Sequence, residues 1–549
     1  MELAKELKKI VSGEVLSDEE NLAKYSRDAS LFEIRPEVVV FPETAADVKA
    51  LVKYVTKNKK KHPKLSLTAR SAGTDMTGGP LNDSVILDFT KHMNRVKEVD
   101  AQGKYAVTEP GVYYRDFEKE TLKHKLLFPS YPASRAICAM GGIVANNAGG
   151  EKTLTYGKTE DYVAALKAVL YDGNEYLFGP LSTNELNRKL RLRGTEGNIY
   201  RKIYRLIRDN YKLIMAAKPD VSKNSAGYYL WNVYDVKRGI FDLTKLFTGS
   251  QGTLGIITEV SFRLVRPKEH STLLVIFLKE LSLLAGIVER VLAYKPESFE
   301  SYDDHTMKIA VRFLPDFLKL MGAKNMLSLA WQFLPEIGMI ITGGVPKLIL
   351  EAEFTGDSEE EVYRKAYAAQ AGLKGLGVRT RVTKRDGEEE KYWTVRRESF
   401  NLLRHHVHGK RTAPFIDDLV VRPERLPEFL PRLTKIMNEY NLIYTIAGHI
   451  GDGNFHIIPL MDMADPRSIK IIPELAERVY KLVKEFRGSI DGEHNDGLIR
   501  TPYLKTMYGS KVYALFEKVK KIFDPLGIFN PGKKVGTDIA SALTHITRS

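Results

Sequence analysis

The fold of this 549-residue chain is decided by the stretch Ala133-Ser-Arg-Ala-Ile-Cys-Ala-Met-Gly-Gly-Ile-Val-Ala-Asn-Asn-Ala-Gly-Gly150. Its second half packs four glycines and two asparagines into residues 141–150. Such residues suit a backbone that lies against a flat ligand, because a larger side chain would collide with it. A loop of small residues at 70–79 and a glycine-rich turn at 246–259, which enters an apolar strand, repeat the pattern. Three such loops in one half of the chain indicate one large ligand that all three bind.

Length and composition indicate a globular protein of two or three domains. Hydrophobic residues make up 43% of the chain. Cys138 is the only cysteine, which excludes a disulfide within the chain and an iron–sulfur cluster held by cysteines. The nearest candidate for a membrane span, residues 326–342, is interrupted by Pro335 and Glu336 and is shorter than the roughly 18 apolar residues required. We expect this stretch to form a buried pair of helices, with contact to a membrane surface as the alternative.

The amino terminus and the net charge bear on location and partners. Residues 1–9 predict a charged amphipathic helix without the apolar core of a secretion signal, so we expect a cytoplasmic location, with a peripheral position on the inner face of the membrane as an alternative. The formal net charge is +14, but the lysines are scattered and interleaved with acids. The densest run, at 57–61, falls where a helix should end, and cations there complement the helix dipole. Because no recognition motif accompanies the charge, we predict a solvated cationic surface and no nucleic-acid binding.

The first half of the chain predicts alternating strands and helices. Residues 38–41 predict a short buried strand, and Thr44 caps a helix whose apolar positions share one face. Residues 65–68 predict the next strand, which leads into the loop at 70–79. The small side chains of that loop leave successive backbone N–H groups open, as binding of a pyrophosphate requires.

A stretch in the second half indicates metal chemistry. The sequence Thr445-Ile-Ala-Gly-His-Ile-Gly-Asp-Gly-Asn-Phe-His-Ile-Ile-Pro459 places His449 and His456 on either side of a Gly-Asp-Gly-Asn core, between two apolar runs that predict strands. Gly451 and Gly453 permit a turn with positive φ, so that both imidazoles converge on one metal ion. The alternative interpretation is a pair of core histidines with satisfied hydrogen bonds.

A second turn, at residues 489–500, adds a carboxylate and an imidazole, Glu493 and His494. Two histidines and one glutamate form a set of three ligands with open positions, as catalytic metals require. Adjacent residues of a regular strand point to opposite faces. Glu493 and His494 therefore share a site only if the turn is irregular, and Gly492 favours such a turn.

These motifs carry a resemblance. The loops at 70–79, 141–150 and 249–258 together resemble the FAD-binding domain of the vanillyl-alcohol oxidase family. The Gly-His-x-Gly-Asp-Gly-Asn-x-His motif, the Gly-Glu-His turn and the ending at 523–533 narrow the resemblance to the D-2-hydroxy-acid dehydrogenase branch. That branch holds D-lactate dehydrogenases, glycolate oxidase flavoprotein subunits and D-2-hydroxyglutarate dehydrogenases.

The resemblance implies an α+β fold in three parts. A two-part FAD-binding domain of the vanillyl-alcohol oxidase type would cover residues 1–270. A substrate-binding cap domain with an antiparallel sheet and the metal site would cover residues 271–509. A C-terminal helical segment, residues 510–549, would return to the flavin domain.

The resemblance also implies roles for single residues. His449, His456 and Glu493 match the branch's ligands of a divalent metal, here zinc, manganese or iron, and His494 matches its general base. Arg396, in a Trp-x-x-Arg segment, matches the contact to the substrate carboxylate. The expected FAD contacts are Arg70, Ser71, Ala72, Gly73, Thr74, Asp75, Ser134, Gly141, Gly142, Asn146, Gly149, Gly252, Gly255, Ile257 and Asn530.

Some features near these residues leave alternatives open or depart from the branch. Arg397 and Arg396 also fit a solvated helix face, and three histidines at 405, 406 and 408 are either a second metal site or residues of a loop. Gln251 stands where the family has Glu, Asn495 stands where it has Gly, and the segment 417–423 is one residue off the usual spacing. The loop at 70–79 lacks a histidine, so we expect FAD to be bound without a covalent bond.

The function implied is an FAD-dependent dehydrogenase that oxidises a D-2-hydroxy acid, with D-lactate favoured, to the 2-oxo acid. Hydride would pass to the flavin, with metal-assisted activation of the hydroxyl. Because a single cysteine cannot hold an iron–sulfur cluster, we expect the chain to pass its electrons to an external acceptor: a quinone, an electron-transfer protein or, less favoured, oxygen. The alternatives are an alkylglycerone-phosphate synthase-like flavoenzyme and a flavin-binding subunit of a complex without turnover of its own. A homodimer is left open.

Overall fold

The computed structural model describes residues 2–304, 306, 345–384, 388–389, 391–396 and 409–547. The apolar stretch at 326–342, Arg397 and the three histidines His405, His406 and His408 lie outside the described residues. Within the described part of the chain, no helix combines the length and the apolar character that crossing a lipid bilayer requires.

The first sheet has four strands in the order β1-β2-β4-β3, which are Glu14–Leu16, Val38–Phe41, Val85–Asp88 and Leu67–Arg70 in that order. β4 runs parallel to β2 and β3, whereas β1 is antiparallel to β2. The helix Ala45–Asn58 follows β2 and buries the predicted apolar face, Val48, Leu51, Val52 and Val55. The Thr44 hydroxyl accepts a hydrogen bond from the Ala46 N–H and so begins this helix as predicted. β3 starts two residues later than predicted and leads into the loop at 70–79.

The second sheet has five antiparallel strands in the order β5-β6-β12-β7-β8. β7 and β8 form a hairpin whose turn contains Gly173 at φ +73°. The sheet buries an aromatic-rich core that includes Phe117, Phe128 and Phe262. In chain order, β5 to β8 are Val96–Asp100, Tyr105–Thr108, Val163–Val169 and Glu175–Phe178, and β12 is Ile256–Arg263. A small neighbouring sheet joins β9, β10 and β11, at Pro180–Leu181, Tyr234–Asp235 and Ile240–Asp242.

The third sheet has eight antiparallel strands in the order β16-β13-β15-β14-β19-β20-β17, with β18 paired to β20. Alternate residues of each strand face opposite sides. On β15, Leu350 and Ala352 join the core under the helices, whereas Glu351 faces the other side of the sheet with Glu300 of β14 opposite it. In chain order, the strands β13 to β20 are His270–Leu278, Ser298–Asp303, Leu348–Gly356, Arg379–Val382, Arg411–Thr412, Leu419–Val420, Ile443–His449 and Asn454–Met461. Helices covering the third sheet are Leu284–Leu292, Glu359–Gly372, Leu426–Asn438 and Pro466–Glu485.

The C-terminal part crosses between these layers. The helix Leu504–Phe523 buries Phe516 in the core of the second sheet. Phe529 bridges to Leu67 of the first sheet, and Ala542 of the helix Ile539–Leu543 joins the core of the third sheet. The α+β class and the antiparallel sheet of the second half are confirmed, whereas the boundaries at 270 and 509 stay predictions.

Further helices, from 4 to 16 residues long, occur in the described part of the chain. They are Glu2–Lys8, Glu19–Tyr25, Tyr114–Leu122, Met140–Asn146, Thr153–Tyr156, Thr159–Tyr162, Thr183–Arg191, Gly194–Asp209, Tyr211–Ala217, Thr244–Phe247 and Gly497–Arg500. Single 3-10 turns occur at Leu230–Asn232, Leu281–Leu283, Pro423–Arg425, Ile450–Asp452 and Thr501–Tyr503.

Candidate active site

The three glycine-rich loops line one cavity, and Glu493 and His494 close part of its wall. Cys138 lies in the same wall, where burial raises the pKa of its thiol to about 12. The predicted FAD contacts that line the cavity are Arg70, Ser71, Ala72, Gly73, Thr74, Asp75, Ser134, Gly141, Gly142, Asn146, Gly252, Gly255 and Ile257.

Two predicted FAD contacts lie beside the cavity and outside its lining. Gly149 faces Glu493, and a Cβ built on it would lie 2.8 Å from the Glu493 Oε2. Asn530 joins two of the loops, because its Nδ2 donates to the carbonyl oxygens of Gly79 and Gln251 at 2.9 and 2.6 Å. Asn530 therefore ties two of the loops together, and Gly149 leaves room for the Glu493 carboxylate.

The loop at 70–79 presents backbone donors to the cavity. The N–H groups of residues 71–76 donate to no acceptor in the described part of the chain. A row of free N–H groups is an anion-binding arrangement. Gly141 lies so close to its neighbours that a Cβ would approach Pro110 Cβ to 2.6 Å and Ser71 Oγ to 2.8 Å. The donors and the glycine cradle fit the pyrophosphate and the flat ring of FAD.

The side chains of Arg70 and Asp75 hold this loop in place. Arg70 donates to the carbonyl oxygen of Arg27 at 2.8 Å, and its guanidinium lies 5.3 Å from the centre of the Tyr25 ring. Asp75 accepts from the Thr77 N–H at 2.6 Å and from Asn146 Nδ2 at 2.8 Å. The charged groups are thus engaged with the protein, and the backbone is left to face the ligand.

The structure explains both single-residue departures from the branch. Gln251 Nε2 donates to Asp75 Oδ2 at 3.3 Å, where a glutamate would set two carboxylates against each other. Asn495 has φ +73°, a conformation that asparagine tolerates, and its Nδ2 donates to the carbonyl oxygens of Gly249 and Asn146 at 2.9 and 3.1 Å. The turn of Glu493 and His494 is therefore joined directly to two of the glycine-rich loops.

The predicted metal ligands converge. His449 ends β19 and His456 lies on β20, and the Nε2 atoms lie 2.9 and 3.4 Å from the same oxygen, Oε1 of Glu493. The turn between the strands contains Gly453 at φ +66°. Gly451 does not adopt a positive φ, so that part of the prediction was wrong. A glycine fits this position for another reason: a Cβ here would approach the Leu154 side chain to 2.8 Å.

Asp418 makes the turn of Glu493 and His494 irregular. Its Oδ2 accepts from three successive backbone N–H groups, those of Gly492, Glu493 and His494, at 2.9, 2.7 and 2.8 Å. Its Oδ1 accepts from Asn454 Nδ2 at 2.9 Å. Because three successive N–H groups point at one oxygen, the backbone cannot alternate as a strand does. Glu493 therefore reaches the histidine pair while His494 also lies in the cavity wall.

Carboxylates on the far side of the imidazoles were missed by sequence reasoning. Glu300 Oε1 lies 2.7 Å from His449 Nδ1. Asp417 Oδ1 lies 3.2 Å from His456 Nδ1, and its Oδ2 lies 2.9 Å from His494 Nδ1. Such partners orient a ligating imidazole and leave its Nε2 directed inward. Asp417 belongs to the segment whose spacing departs from the branch, which is the one sequence feature that pointed to it.

Arg396 pairs with Glu300, and its Nη2 lies 3.4 Å from His449 Nδ1. The pair is buried, with side-chain exposures of 7% and 0%. Arg396 is not among the lining residues of the cavity. It lies at the edge of the imidazole cluster, held by the carboxylate that also faces His449.

Buried charges set the protonation of the cluster. Burial by itself lowers the pKa of His456, but Asp417 and Glu493 outweigh it and raise this pKa to about 10. The pKa of His494 is also raised, since neighbouring aspartates outweigh burial. Burial by itself raises the pKa of Glu493, but Lys223 and the imidazoles hold it well below the usual range. A divalent ion bound here would have to displace protons from the imidazoles, so its affinity would rise with pH.

The donor set fits a divalent ion. The ligand atoms of His449, His456 and Glu493 lie within 4.8 Å of one another. Both carboxylate oxygens of Glu493 are buried, and among the described residues neither makes a hydrogen bond of good geometry, although two imidazole nitrogens lie close to Oε1. Nitrogen and oxygen ligands in this number suit zinc, manganese or iron with open coordination positions. The three residues would hold the ion next to the cavity that fits FAD.

Comparison with known proteins agrees with this geometry. Residues 36–177 match the family model described as "FAD binding domain", and residues 267–534 match "FAD linked oxidases, C-terminal domain". A D-lactate dehydrogenase of Anaerostipes hadrus is 27% identical over 97% of each chain. A D-2-hydroxyglutarate dehydrogenase of Escherichia coli (strain K12) is 27% identical over 92% of this chain but only 49% of its own length. The chain thus spans about half the length of that relative.

A solved structure shares the fold. An alkyldihydroxyacetonephosphate synthase superposes with a TM-score of 0.64 at 15% identity, covering 97% of this chain and 84% of that one. The likeness concerns the fold alone, because the identity is low. The two family models, together with the loops that line the cavity, lead to one conclusion: the chain joins an FAD-binding domain to the C-terminal domain of the FAD-linked oxidases.

Proposed function

We propose that this protein is an FAD-dependent dehydrogenase that oxidises a D-2-hydroxy acid to the 2-oxo acid. One observation carries the proposal: Glu493 and His494 are neighbours on one turn, and the first approaches His449 and His456 while the second lies in the wall of the FAD cavity. A substrate between them would have its hydroxyl near the ligands and its reacting carbon near the flavin. Proximity of this kind is a major source of rate enhancement.

His494 is the proposed general base. Its Nδ1 lies 2.9 Å from Asp417 Oδ2, so Nε2 of the neutral ring is the atom that would accept the hydroxyl proton. Asp417 holds the ring in place and stabilises the imidazolium that forms. When bound, FAD supplies the acceptor for the hydride of the substrate C–H bond. When bound, a divalent ion supplies the Lewis acid that lowers the pKa of the substrate hydroxyl.

Arg396 is proposed to bind the substrate carboxylate. Glu300 and the helix at 391–396 fix its guanidinium beside His449. A planar guanidinium held in this way offers paired donors to a carboxylate. The Arg396 Nε has no hydrogen-bond partner among the described residues, which supports a free donor on that side.

D-Lactate is the substrate we favour. The relative named D-lactate dehydrogenase is 27% identical over 97% of both chains, and a relative named D-2-hydroxyglutarate dehydrogenase is 25% identical over 97% of this chain and 98% of its own, so D-2-hydroxyglutarate is the second candidate. FAD is proposed to be bound without a covalent bond, because residues 70–79 lack a histidine. The single cysteine of the chain cannot hold an iron–sulfur cluster that would accept the electrons. We therefore propose an external electron acceptor, a quinone or an electron-transfer protein.

The test is anaerobic mixing of the FAD-loaded protein with a panel of D- and L-2-hydroxy acids while flavin absorbance is followed. We expect bleaching by D-lactate and no bleaching by L-lactate. A flavin that no 2-hydroxy acid reduces would contradict the proposal and favour a binding subunit without turnover. Metal analysis of the same preparation separates the dehydrogenase from an alkylglycerone-phosphate synthase-like enzyme, for which we expect no bound metal ion.

A further inference from the structure

A fully buried lysine lies beside the candidate metal ligands and has no part in the chemistry described so far. Lys223 has 0% side-chain exposure and belongs to the segment between the helix Tyr211–Ala217 and the turn Leu230–Asn232. Its Nζ lies 3.3 Å from Asp452 Oδ2 and 3.7 Å from Glu493 Oε1. The ammonium group therefore stands between an aspartate and the carboxylate that faces both imidazoles.

The contacts of Lys223 are long for a lysine with a structural role. Its hydrogen bond to the carbonyl oxygen of Gly150 measures 3.5 Å. The nearby Lys158, also buried, makes shorter bonds, with the carbonyl oxygen of Gly492 at 2.5 Å and the Ser225 hydroxyl as acceptors. Lys158 thus holds backbone in place, whereas Lys223 mainly neutralises charge.

The ammonium group and a divalent ion compete for the same oxygen. Glu493 Oε1 is the atom approached by His449 Nε2, by His456 Nε2 and by Lys223 Nζ. A divalent ion bound to this oxygen would have a positive charge a few ångströms away, and like charges in a buried site repel strongly. Asp452 gives the ammonium group a second partner, so it can remain paired when Glu493 turns to the ion.

From this geometry we propose that Lys223 is an internal counter-cation of the metal centre. It neutralises Glu493 and Asp452 when no ion is bound, and it thereby lowers the affinity of the centre for a divalent ion. Buried carboxylates without a partner destabilise a fold, so the lysine also keeps the metal-free protein folded. The proposal makes Lys223 a positioning residue, and it rests on the proposed function in one respect, which is that the three ligands bind an ion.

The experiment measures metal affinity directly. The FAD-loaded, metal-free protein is titrated with Zn²⁺ or Mn²⁺ against a chromogenic chelator, and thermal unfolding is recorded with and without the ion. For Lys223→Met we expect binding at least tenfold tighter than in the wild type, and a larger rise of the unfolding temperature on adding the ion. Lys223→Gln, which keeps a donor for the Gly150 carbonyl but lacks the charge, should change affinity in the same direction and replaces the Met variant if that one does not fold.

Asp452→Asn tests the same competition with the lysine in place. Without the aspartate, the ammonium group has Glu493 as its remaining carboxylate partner among the contacts described above, so the ion should bind several-fold more weakly. The loss should be smaller when Asp452→Asn is made in the Lys223→Met background, as a double-mutant cycle would reveal. Lys533→Met is the matched control, because Lys533 is equally buried but bonds to the carbonyl oxygen of Leu81 in another part of the protein.

The outcomes separate the two proposals. If the wild type binds the ion and the Lys223 variants bind it equally or more weakly, the counter-cation role is overturned and the metal centre stands. If the wild type and all variants fail to bind an ion, the centre itself is refuted, and the role of Lys223 with it. Binding by the Lys223 variants at concentrations where the wild type binds none would support the proposal.

Discussion

His494 is the residue on which the proposed chemistry depends, and its environment sets its role. Asp417 faces the Nδ1 of both His494 and His456, and the two rings are stacked at 5.0 Å. One buried carboxylate therefore orients a proposed base and a proposed ligand together. Sequence reasoning identified both histidines but not Asp417, because this aspartate is far away in sequence. Its neighbour Asp418 is 76 residues from His494.

Replacement of His494 by alanine tests the base. We expect His494→Ala to lower the rate of flavin reduction by about 10²- to 10⁴-fold, since general bases contribute about that much. FAD should stay bound, because the loops at 70–79 and 141–150 supply the rest of the cavity. Stopped-flow absorbance measures the rate, and His62→Ala, at an exposed histidine, is the control. Loss of FAD with unchanged reduction in the remaining holoenzyme would contradict the assignment.

At the scale of elements, the hairpin β19–β20 and the turn at 489–496 were predictable in part. The Gly-Asp-Gly-Asn core between apolar runs indicated the hairpin, because strand periodicity and turn chemistry are local properties. The irregular shape of the second turn was not predictable, because it depends on Asp418, which lies on a different segment and accepts three N–H groups. Glu300 was missed for the same reason: it meets His449 only through the order of the strands, 149 residues apart.

The turn around Asp418 provides a prediction at this scale. Asp418→Asn replaces an acceptor oxygen by an amide that cannot accept from every N–H group, so the turn should relax. Since Glu493 and His494 both depend on it, metal affinity should fall about 10- to 100-fold, together with the rate of flavin reduction. Chelator competition and stopped-flow absorbance measure the two. Asp209→Asn, at an exposed aspartate, is the control, and a change in only one of the two quantities would argue against a shared turn.

The end of the helix Met140–Asn146 provides a prediction of pH dependence. Asn147 caps this helix and donates to Glu160 Oε2 at 2.9 Å. Burial raises the pKa of the Glu160 carboxyl from 4.5 to about 7. Between these values the unfolded chain loses the proton first, so this group stabilises the fold fully below pH 4.5 and its contribution is lost as the pH rises to about 7.

Replacement of Glu160 by glutamine should remove this dependence of the unfolding free energy on pH. Unfolding midpoints at several pH values between 4.5 and 7 should show the wild type losing stability relative to Glu160→Gln, by roughly 3 kcal/mol over the whole window. Glu289→Gln, at an exposed glutamate, should follow the wild type. Parallel curves for the wild type and Glu160→Gln would show that the carboxyl titrates at its ordinary pKa.

For the whole molecule, the glycine-rich loops indicated the cavity because each carries its own local signature of small residues. Their joint arrangement was supplied by the resemblance, since contacts between residues 75, 146 and 251 cannot be read from local periodicity. Two side chains that join the loops were interpreted differently from the sequence. Asn495 was noted only as a departure from the branch, and Asn530 was predicted to contact FAD. In the structure their bonds go to backbone carbonyl groups of the loops.

Ligand linkage follows from this arrangement. FAD would contact loops from distant parts of the chain, so it should stabilise the fold as one unit. At a free concentration of 100 times Kd, FAD should add about 2.7 kcal/mol to the free energy of unfolding. Calorimetry of the flavin-free protein with increasing FAD measures this, with FMN, which lacks the adenylate half, as the control. Equal stabilisation by FMN would mean that the loop at 70–79 does not bind the pyrophosphate.

The single thiol of the molecule can report whether the wall of the cavity is intact. Cys138 is 3% exposed and its pKa of about 12 keeps it protonated, so a maleimide or iodoacetamide reagent has no nucleophile to attack in the closed protein. Alkylation then proceeds only in molecules whose cavity wall has opened. Because the chain has no second cysteine, mass spectrometry of the intact chain would give the fraction of molecules in which the wall has opened.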